Sequence, residues 1–527
     1  MNKHPNILLI MFDQMAPQSL PMYGHKVVKT PNLQSLANDG VVFENAYCNS
    51  PLCAPSRFSM MSGKLCSKIG AYDNAAEFHA DIPTFVHYLR SAGYRTVLSG
   101  KMHFVGPDQL HGFEKRLTTD IYPADFGWTP DWTNRDKRWF WYHNMQSVVE
   151  SGVYSRTLEL DYDEEVCYQA VRHLYDTARD DDSRAFFLTT SFIQPHDPYM
   201  TPQACWNHYD HDEIDMPAVR PIPLAEQDPH SQRLYYACQM DQYRITDEHV
   251  KNARHAYYGM ISWLDEQVGR LLQALEDTGQ RDDTIIFVTS DHGDMLGERG
   301  LWYKMSFFER SIRVPLIVHA PKHFRSNRIR ENVSLADLLP TVVEIANDGA
   351  LELASPVDGQ SLLPLLHGRR EAWSDLVLGE YLAEGTCEPV CMVKHGPFKY
   401  ITCESDPPLL YNLDTDPQEL KTLAGYQEHA QTEASLREIA SKYWNSAAIR
   451  SEVIESQQRR LFLQETMKAG DITSWDFQPQ QDASAQYNRN YHDELFEADR
   501  RARIPYREPP PFDGDATDSP DSTQNKN

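Results

Sequence analysis

Continuous apolar runs alternate along most of this chain with segments whose apolar residues recur at helical spacing. The runs lack polar alternation, so they predict strands buried on both faces of a sheet. We predict strands at residues 6–12, 41–43, 94–99, 185–192, 284–290 and 314–319. Helices are predicted at residues 30–37, 82–92 and 255–278, each with a glycine just after it. This alternation predicts an α/β fold with a large, mostly parallel sheet flanked by helices.

The pattern changes after about residue 370. Short apolar runs separated by Gly and Pro predict a small antiparallel sheet, and helices are predicted to follow it. We therefore expect a large domain over residues 1–370 and a smaller C-terminal α+β unit over residues 371–470. Residues 471–507 are expected to form an extension that completes a substrate pocket or an oligomer interface. Residues 508–527, rich in Pro, Asp, Ser and Thr, are expected to be disordered.

Polar side chains follow several predicted strands at the point where each strand ends. They are Asp13 and Gln14, Lys101 and His103, His196, and Asp291 and His292. Because ligands bind at the carboxyl edge of a parallel sheet, we expect these side chains to converge and indicate an enzyme. Each has a structural alternative, since a single acid often caps a helix and a single lysine is usually solvated.

The segment Cys53-Ala54-Pro55-Ser56-Arg57 leads into an apolar run that is predicted to open a helix. Pro55 suits the first helical turn, where no backbone donor is needed. Cys53 then lies at the positive end of the helix dipole, beside a guanidinium. Both features favour an anion, either a thiolate or a ligand oxyanion. The alternative is a packed loop cysteine before a core helix.

Composition narrows the function classes. The chain has 527 residues, 41% of them apolar, and a formal net charge of −26, which argues against nucleic-acid binding. No stretch approaches the roughly 20 apolar residues of a membrane span, and the amino terminus lacks the pattern of a signal peptide. Nine cysteines without regular spacing argue against a disulfide framework. We expect a cytoplasmic protein with no membrane partner.

Cys53–Arg57 has the form Cys-x-Pro-Ser-Arg, and this resembles the signature of the type I sulfatases of the alkaline phosphatase superfamily. The segments Gly70–Glu77 and Leu117–Trp132 resemble the choline-sulfatases within that family. The resemblance implies a mixed, mostly parallel sheet of the alkaline-phosphatase type. It also implies that a separate maturation enzyme converts Cys53 to formylglycine, which acts as a protein-derived cofactor.

The same resemblance implies a divalent metal, most often Ca²⁺, with Mg²⁺ or Mn²⁺ as alternatives. The implied ligands are Asp13, Asp291, His292 and an oxygen on converted Cys53. Many sulfatases have two adjacent acids where this chain has Asp13-Gln14. Gln14 is expected to ligate through its amide oxygen, which gives the site one negative charge less.

The resemblance further implies a set of catalytic residues around a small oxyanion: Cys53, Arg57, Lys101, His103, His196 and Lys304. One hydroxyl of hydrated formylglycine attacks sulfur, and His196, or Lys304 beside it, protonates the leaving alkoxide. His103 then deprotonates the second hydroxyl, which releases sulfate and restores the aldehyde. Cations and a metal around transferring oxygens usually supply the largest catalytic effect.

Aromatic residues concentrate in residues 118–128 and 139–142. Their alternatives are an ordinary hydrophobic cluster and a wall that binds a quaternary ammonium group. The resemblance favours the wall, with Trp128 facing the ammonium and Asn74 and His143 nearby. The expected substrate is then a small sulfate ester bearing a quaternary ammonium. The tail 475–494 is expected to add to this wall, and a homo-oligomer is expected.

Two other functions remain open from the residues. One is hydrolysis of phosphonates or of phosphate monoesters or diesters, by an enzyme of the same superfamily with the same cysteine motif. The other is non-enzymatic binding of quaternary ammonium compounds with Cys53 unconverted. A binder does not need the set of cations at the strand ends, so the sequence disfavours the second alternative.

Overall fold

The structure is a computed structural model that describes residues 4–134, 143–350 and 352–469, together with 499, 503 and 505. The aromatic run 139–142, the tail 475–494 and the terminus 508–527, for which we made predictions, lie outside the described residues. No helix of the described part is long and apolar enough to cross a membrane.

The described residues form two principal sheets and a two-stranded pair. The strands are β1 (Asn6–Phe12), β2 (Val41–Tyr47), β3 (Arg95–Gly100), β4 (Lys115–Arg116), β5 (Gly152–Val153), β6 (Phe186–Ser191), β7 (Met200–Thr201), β8 (Thr284–Ser290), β9 (Arg313–His319), β10 (Asn327–Ser334), β11 (Leu376–Tyr381), β12 (Val390–His395), β13 (Phe398–Cys403) and β14 (Asp406–Asn412).

The main sheet has the strand order β10-β2-β9-β8-β1-β6-β3-β4. Strand β9 is antiparallel to both of its neighbours, β2 and β8. The other pairs are parallel. Every residue of β1 and β8 is buried, which explains why both sequences are continuous apolar runs rather than alternating ones. The predicted fold class, a large mixed and mostly parallel sheet, is confirmed.

The helices of the described part are α1 (Pro31–Asp39), α2 (Cys53–Ser62), α3 (Phe85–Ser91), α4 (Gln146–Val149), α5 (Leu158–Arg179), α6 (Gln203–Trp206), α7 (Pro229–Ala237), α8 (Asp247–Asp277), α9 (Glu309–Ile312), α10 (Leu338–Ala346), α11 (Leu363–Leu366), α12 (Ala430–Tyr443) and α13 (Ser446–Met467). Helices α1 and α5 pack against the long α8, while α2, α3 and α10 pack together.

The C-terminal part has the predicted antiparallel sheet. Its strand order is β11-β12-β13-β14, with neighbouring strands antiparallel. Helix α12 packs on β12 and β13. A second hydrophobic core lies here, and it includes Trp132 from the N-terminal half together with Val453 from α13. The C-terminal helices therefore pack against the part of the chain that precedes β5.

Candidate active site

The strand ends bring the predicted residues together at one edge of the main sheet. Asp13 follows β1, Lys101 follows β3, and Asp291 follows β8. The loop after β6 carries His196. All four of these side chains are buried. Short contacts among them show that the structure brings these strand-end side chains together.

Helix α2 places Cys53 at this edge. Its cap residue Leu52 is extended (φ −155°, ψ 141°), the helix begins at Cys53, and Pro55 lies in the first turn as predicted. All ten residues of α2 are buried. Gly63 ends the helix in the left-handed region (φ 66°), where its N–H donates to the carbonyl of Ser59 at 2.8 Å. Helix α2 is therefore a fixed support for the reactive position.

The thiol of Cys53 lies next to an imidazole and a carboxylate. Its Sγ atom is 3.2 Å from Nε2 of His292 and 3.8 Å from Oδ1 of Asp13. Burial, and after it the negative charge of Asp13, raises the pKa of the thiol to about 12. The structure therefore does not favour a thiolate at Cys53, although the residue starts a helix.

Arg57 holds the two carboxylates in place. Its guanidinium donates to Oδ2 of Asp13 at 2.9 Å and to Oδ2 of Asp291 at 2.8 Å. Nη1 donates to the Lys101 carbonyl at 2.7 Å and to the Ser191 hydroxyl at 2.9 Å. These contacts anchor Arg57 behind the carboxylates, whereas the sequence analysis grouped it with the side chains that surround the oxyanion.

The donor atoms that remain fit a divalent cation. One ligand atom each from Asp13, Cys53, Asp291 and His292 lies within 4.8 Å of the others, and all four residues are buried. Nδ1 of His292 lies 3.0 Å from the Gly293 carbonyl. A carbonyl only accepts, so Nδ1 carries the proton and the Nε2 lone pair points into the cluster. Two carboxylates, a neutral imidazole and the side chain at position 53 form a donor set of the kind that holds a divalent metal.

The pKa shifts agree with this interpretation. Burial alone raises the pKa of Asp13, but the charges of Lys101 and Arg57 hold it well below its usual value. Burial raises the pKa of Asp291 to about 6, and Arg57 opposes this rise. Burial, followed by the charge of Lys304, keeps the pKa of His292 well below its usual value, so the imidazole is neutral.

Gln14 lies beside the cluster with a backbone in the left-handed region (φ 68°). Its amide nitrogen donates to Oδ2 of Asp294 at 2.7 Å, and its amide oxygen accepts from Nζ of Lys304 at 2.7 Å. The backbone N–H donates to Oδ1 of Asp291 at 3.0 Å. Gln14 therefore fixes Asp291 and Lys304, and its role as a metal ligand stays a prediction.

Lys101 and Lys304 approach the cluster from two sides. Nζ of Lys101 is 2.5 Å from Oδ2 of Asp13 and lies 4.0 Å from the centre of the Tyr122 ring. Nζ of Lys304 is 2.7 Å from Nε2 of His196. Lys304 is flanked by two left-handed residues, Tyr303 (φ 63°) and Met305 (φ 70°). Such backbone conformations cost free energy and are typical of functional sites.

His103 has an uncommon environment for a buried histidine. Neither ring nitrogen has a hydrogen-bond partner among the described residues, although the side chain is 1% exposed. The backbone is left-handed (φ 59°), and its N–H donates to Oδ2 of Asp120 at 2.8 Å. Burial, followed by the charge of Lys101, holds the pKa of His103 well below its usual value. A neutral imidazole with free nitrogens is suited to accept a proton from a bound molecule.

An aromatic wall adjoins His103. We use this name for the rings of Tyr122 and Trp128, which meet edge to face with centroids 5.0 Å apart. The Trp128 ring lies 5.7 Å from the His103 ring, and the Tyr122 ring lies 5.1 Å from it. Oδ1 of Asn74 accepts from the N–H of Ala54 at 3.0 Å, so Asn74 contacts the start of α2.

His143 lies on the other side of His196, with ring centroids 6.0 Å apart, and stacks on Tyr303 at 4.8 Å. Its Nδ1 is 4.0 Å from Oδ1 of Asp197. The structure thus brings His143 next to the Lys304 side of the site. Its predicted role in binding the substrate stays a prediction.

Two residues that hold the site in place, Asp294 and Asp120, were not among the predicted site residues. Asp294 accepts from Gln14 and from the Tyr199 hydroxyl at 2.8 Å. Asp120 receives the N–H groups of Met102 and His103 and fixes the turn after β3. Asp294 follows Asp-His-Gly directly, so its position in that motif was a usable signal. Asp120 lies in the aromatic segment, but nothing in its spacing predicts the contact with the turn.

Comparisons with known proteins agree with this geometry. Residues 5–348 match the family model described as Sulfatase. The chain belongs to the sulfatase family. Residues 297–444 of this sulfatase match the C-terminal model of N-sulphoglucosamine sulphohydrolase, and residues 451–504 match the choline sulfatase enzyme C-terminal model. Membership of the family makes the chain a sulfuric ester hydrolase.

Individual relatives cover most of the chain. A choline-sulfatase of Rhizobium meliloti (strain 1021) is 46% identical over 495 residues, 92% of this chain and 96% of that protein. An arylsulfatase of Clostridium perfringens (strain 13 / Type A) is 29% identical over 83% of this chain and 94% of its own length. The solved structure of a phosphonate monoester hydrolase of Agrobacterium radiobacter is similar with a TM-score of 0.67 and 25% identity, over 85% of this chain and 96% of that one.

Proposed function

We propose that this enzyme is a choline-sulfatase that hydrolyses choline O-sulfate to choline and inorganic sulfate. The observation that carries the proposal is the aromatic wall beside His103, where the Trp128 ring lies 5.7 Å from the imidazole. Choline O-sulfate carries a sulfate anion and a trimethylammonium cation a few bonds apart. The cations of the site suit the sulfate, and the aromatic wall suits the ammonium through cation–π attraction. The 46% identity to a choline-sulfatase supports the same substrate.

The proposal includes conversion of Cys53 to formylglycine by a maturation enzyme, and one divalent metal, which we expect to be Ca²⁺. Asp13, Asp291, His292 and the converted residue 53 would hold the metal, which favours an anionic oxygen at position 53. Formylglycine supplies an oxygen nucleophile in place of the thiol.

The remaining residues position charge and move protons. Nζ of Lys101 lies 2.5 Å from Oδ2 of Asp13, so this side chain pairs with the carboxylate and offers a donor to the sulfate oxygens. Lys304 and His196, joined at 2.7 Å, are placed to protonate the alkoxide of choline as it leaves. His103, whose ring nitrogens have no hydrogen-bond partner among the described residues, is proposed to take the proton that accompanies sulfate release.

Arg57 is proposed as a positioning residue. Its contacts with Asp13 and Asp291 fix both carboxylates from behind, at 2.9 and 2.8 Å. A bidentate guanidinium holds two carboxylates in a plane, whereas a lysine is a single point charge. Substitution of Arg57 is therefore expected to act through the metal-type cluster rather than through a lost contact with the sulfate.

The experiment combines two measurements on the purified protein. Mass spectrometry of the peptide that contains Cys53 is expected to show formylglycine. Sulfate release is then assayed with choline O-sulfate and with 3,3-dimethylbutyl sulfate, an isostere that lacks only the positive charge of the ammonium group. We expect higher kcat/KM for choline O-sulfate. Equal kcat/KM values for the two esters would contradict recognition of the ammonium group.

The alternative is hydrolysis of phosphonate or phosphate esters, which the similarity to the Agrobacterium phosphonate monoester hydrolase supports. Charge separates the two functions, because a sulfate ester is a monoanion and a phosphate monoester is mostly a dianion at neutral pH. We therefore compare kcat/KM for choline O-sulfate with kcat/KM for phosphocholine, which has the same alcohol, and for a phenyl phosphonate. Higher kcat/KM for either phosphorus ester than for choline O-sulfate would favour the alternative.

A cytoplasmic location and a homo-oligomer are part of the same proposal. All nine cysteines lie in described parts of the chain, and each is a free thiol. Free thiols are typical of proteins in a reducing compartment, which supports the location. Size-exclusion chromatography with light scattering tests the oligomer.

A further inference from the structure

A buried ion pair joins the last long helix to the segment that precedes Asn74. Arg460, on α13, donates from Nη1 to Oδ1 of Asp73 at 2.6 Å and from Nη2 to Oδ2 at 2.7 Å. Asp73 is 0% exposed and Arg460 is 4% exposed. The two residues are 387 positions apart in the chain. A bidentate ion pair of this kind fixes the relative orientation of the two side chains as well as the distance between them.

The same guanidinium also reaches the segment that carries Trp128. Nη1 of Arg460 donates to Oγ1 of Thr129 at 3.2 Å, and that hydroxyl donates to the Phe126 carbonyl at 2.7 Å. Asp73 precedes Asn74, and Thr129 follows Trp128. One side chain therefore links the chain neighbours of Asn74 and Trp128, the two residues predicted to bind the ammonium end of the substrate, and it lies outside the set of catalytic residues.

The helix repeats this arrangement one turn earlier. Oε1 of Gln457 accepts from the N–H of Trp132 at 2.8 Å, and Gln457 is 0% exposed. Residues three apart share a helix face, so Gln457 and Arg460 present one buried face to residues 129–132. The side chain of Arg459, between them, is exposed.

We propose that Arg460 is a specificity-determining positioning residue, which sets the distance between Asn74 and Trp128 and so the fit of the ammonium end of the substrate. This inference rests on the proposed choline-sulfatase function. Arg460 contacts Asp73 and Thr129, while the atoms that handle sulfate lie at the sheet edge. Its loss should therefore affect recognition of the ammonium end more than the chemical step.

The test compares Arg460→Lys with wild type on choline O-sulfate and on 4-nitrophenyl sulfate. Lysine keeps the positive charge but has no planar fork to join Asp73 and Thr129. We expect KM for choline O-sulfate to rise by about 10-fold, since small displacements of positioning groups are costly, with kcat changed less than about 2-fold. For 4-nitrophenyl sulfate, kcat/KM should stay within about 2-fold of wild type.

The matched control is Arg459→Lys, one position away and exposed, which should leave both substrates unchanged. If Arg460→Lys fails to fold, Thr129→Val removes only the contact to the Trp128 segment and should show the same split between substrates. Equal losses on both substrates, or none on either, would overturn the inference. Wild-type protein that cleaves 4-nitrophenyl sulfate but not choline O-sulfate would instead overturn the proposed function, and the inference with it.

Discussion

Nε2 of His196 and Nζ of Lys304 lie 2.7 Å apart, buried at the edge of the metal-type cluster. Nδ1 of His196 lies 2.7 Å from the Asp197 carbonyl, which only accepts, so Nδ1 carries the ring proton. Burial, followed by the charge of Lys304, keeps the pKa of His196 well below its usual value. The imidazole is thus neutral and accepts a hydrogen bond from the Lys304 ammonium, which holds the proton.

This arrangement predicts that the loss of activity in Lys304→Ala depends on the basicity of the leaving group. Choline leaves as a strongly basic alkoxide that needs a proton, whereas 4-nitrophenolate is stable without one. We expect kcat for choline O-sulfate to fall by ~10²–10⁴-fold, the usual range for a general acid, and kcat for 4-nitrophenyl sulfate to fall much less. Steady-state rates on both esters check this, and equal losses would argue against Lys304 as the proton donor.

Cys53→Ser and Cys53→Ala are expected to abolish multiple turnover. Neither side chain can carry two oxygens on one carbon, so neither can release sulfate by restoring an aldehyde. A sulfate-release assay with enzyme far below substrate gives the measurement, and unchanged melting temperatures show that the variants are folded. Turnover at the wild-type rate in either variant would falsify the formylglycine mechanism.

Trp128→Ala tests the aromatic wall. A cation–π contact is worth about 0.5–2 kcal/mol, so we expect KM for choline O-sulfate to rise by roughly 2- to 30-fold. The isostere 3,3-dimethylbutyl sulfate has the same shape without the positive charge of the ammonium group, and its KM should rise less. Equal increases for both esters would show that Trp128 only fills space.

Metal removal tests the cluster of Asp13, Cys53, Asp291 and His292. Dialysis against a chelator is expected to abolish sulfate release, and Ca²⁺ is expected to restore it better than Mg²⁺ or Mn²⁺. Asp291→Asn should retain less metal than wild type, because it removes one of the two carboxylates. Elemental analysis before and after dialysis gives the stoichiometry, and full activity in metal-free protein would contradict the proposal.

Stability is expected to depend on pH through buried histidines away from the site. Burial, followed by the charge of Arg281, lowers the pKa of His319 from 6.5 to about 4. Between pH 6.5 and about pH 4, the unfolded chain therefore binds more protons than the folded one. The free energy of unfolding falls as pH is lowered through this window. His319→Gln should lose less stability across the window than wild type.

Thermal melts at both ends of the window measure this difference. The control is His395→Gln, because His395 is the last residue of β12 and its side chain is exposed. Its melting temperature should follow the wild-type pH dependence. A wild-type dependence in His319→Gln as well would show that other groups are responsible.

The strands that the sequence predicted best are the central ones. The bounds of β1 and β8 are the same as predicted, because strands buried on both faces are uninterrupted apolar runs. The start of α8 was placed at His255, eight residues after its observed start at Asp247. Thr246 and His249 form a reciprocal cap there, and histidine in place of the usual Glu or Gln gives no recognisable signal.

Convergence of the site residues was predictable because they lie at carboxyl ends of parallel strands. The contact between Asp73 and Arg460 was not predictable, since it joins positions 387 residues apart and no local pattern marks either residue. Gln14 shows the same limit, because its sequence position did not predict the contacts of its amide with Asp294 and Lys304. Sequence order identifies which loops meet, and packing decides which atoms touch.

The burial of α2 bears on whether modification of Cys53 comes before or after folding. Cys53 is 1% exposed and starts a helix whose ten residues are all buried. The buried segment is inaccessible to a second enzyme in the folded protein, so the proposed conversion of the thiol would have to precede folding of this segment. Molecules that fold before conversion are expected to keep the thiol permanently. The active fraction would then depend on the relative rates of maturation and folding.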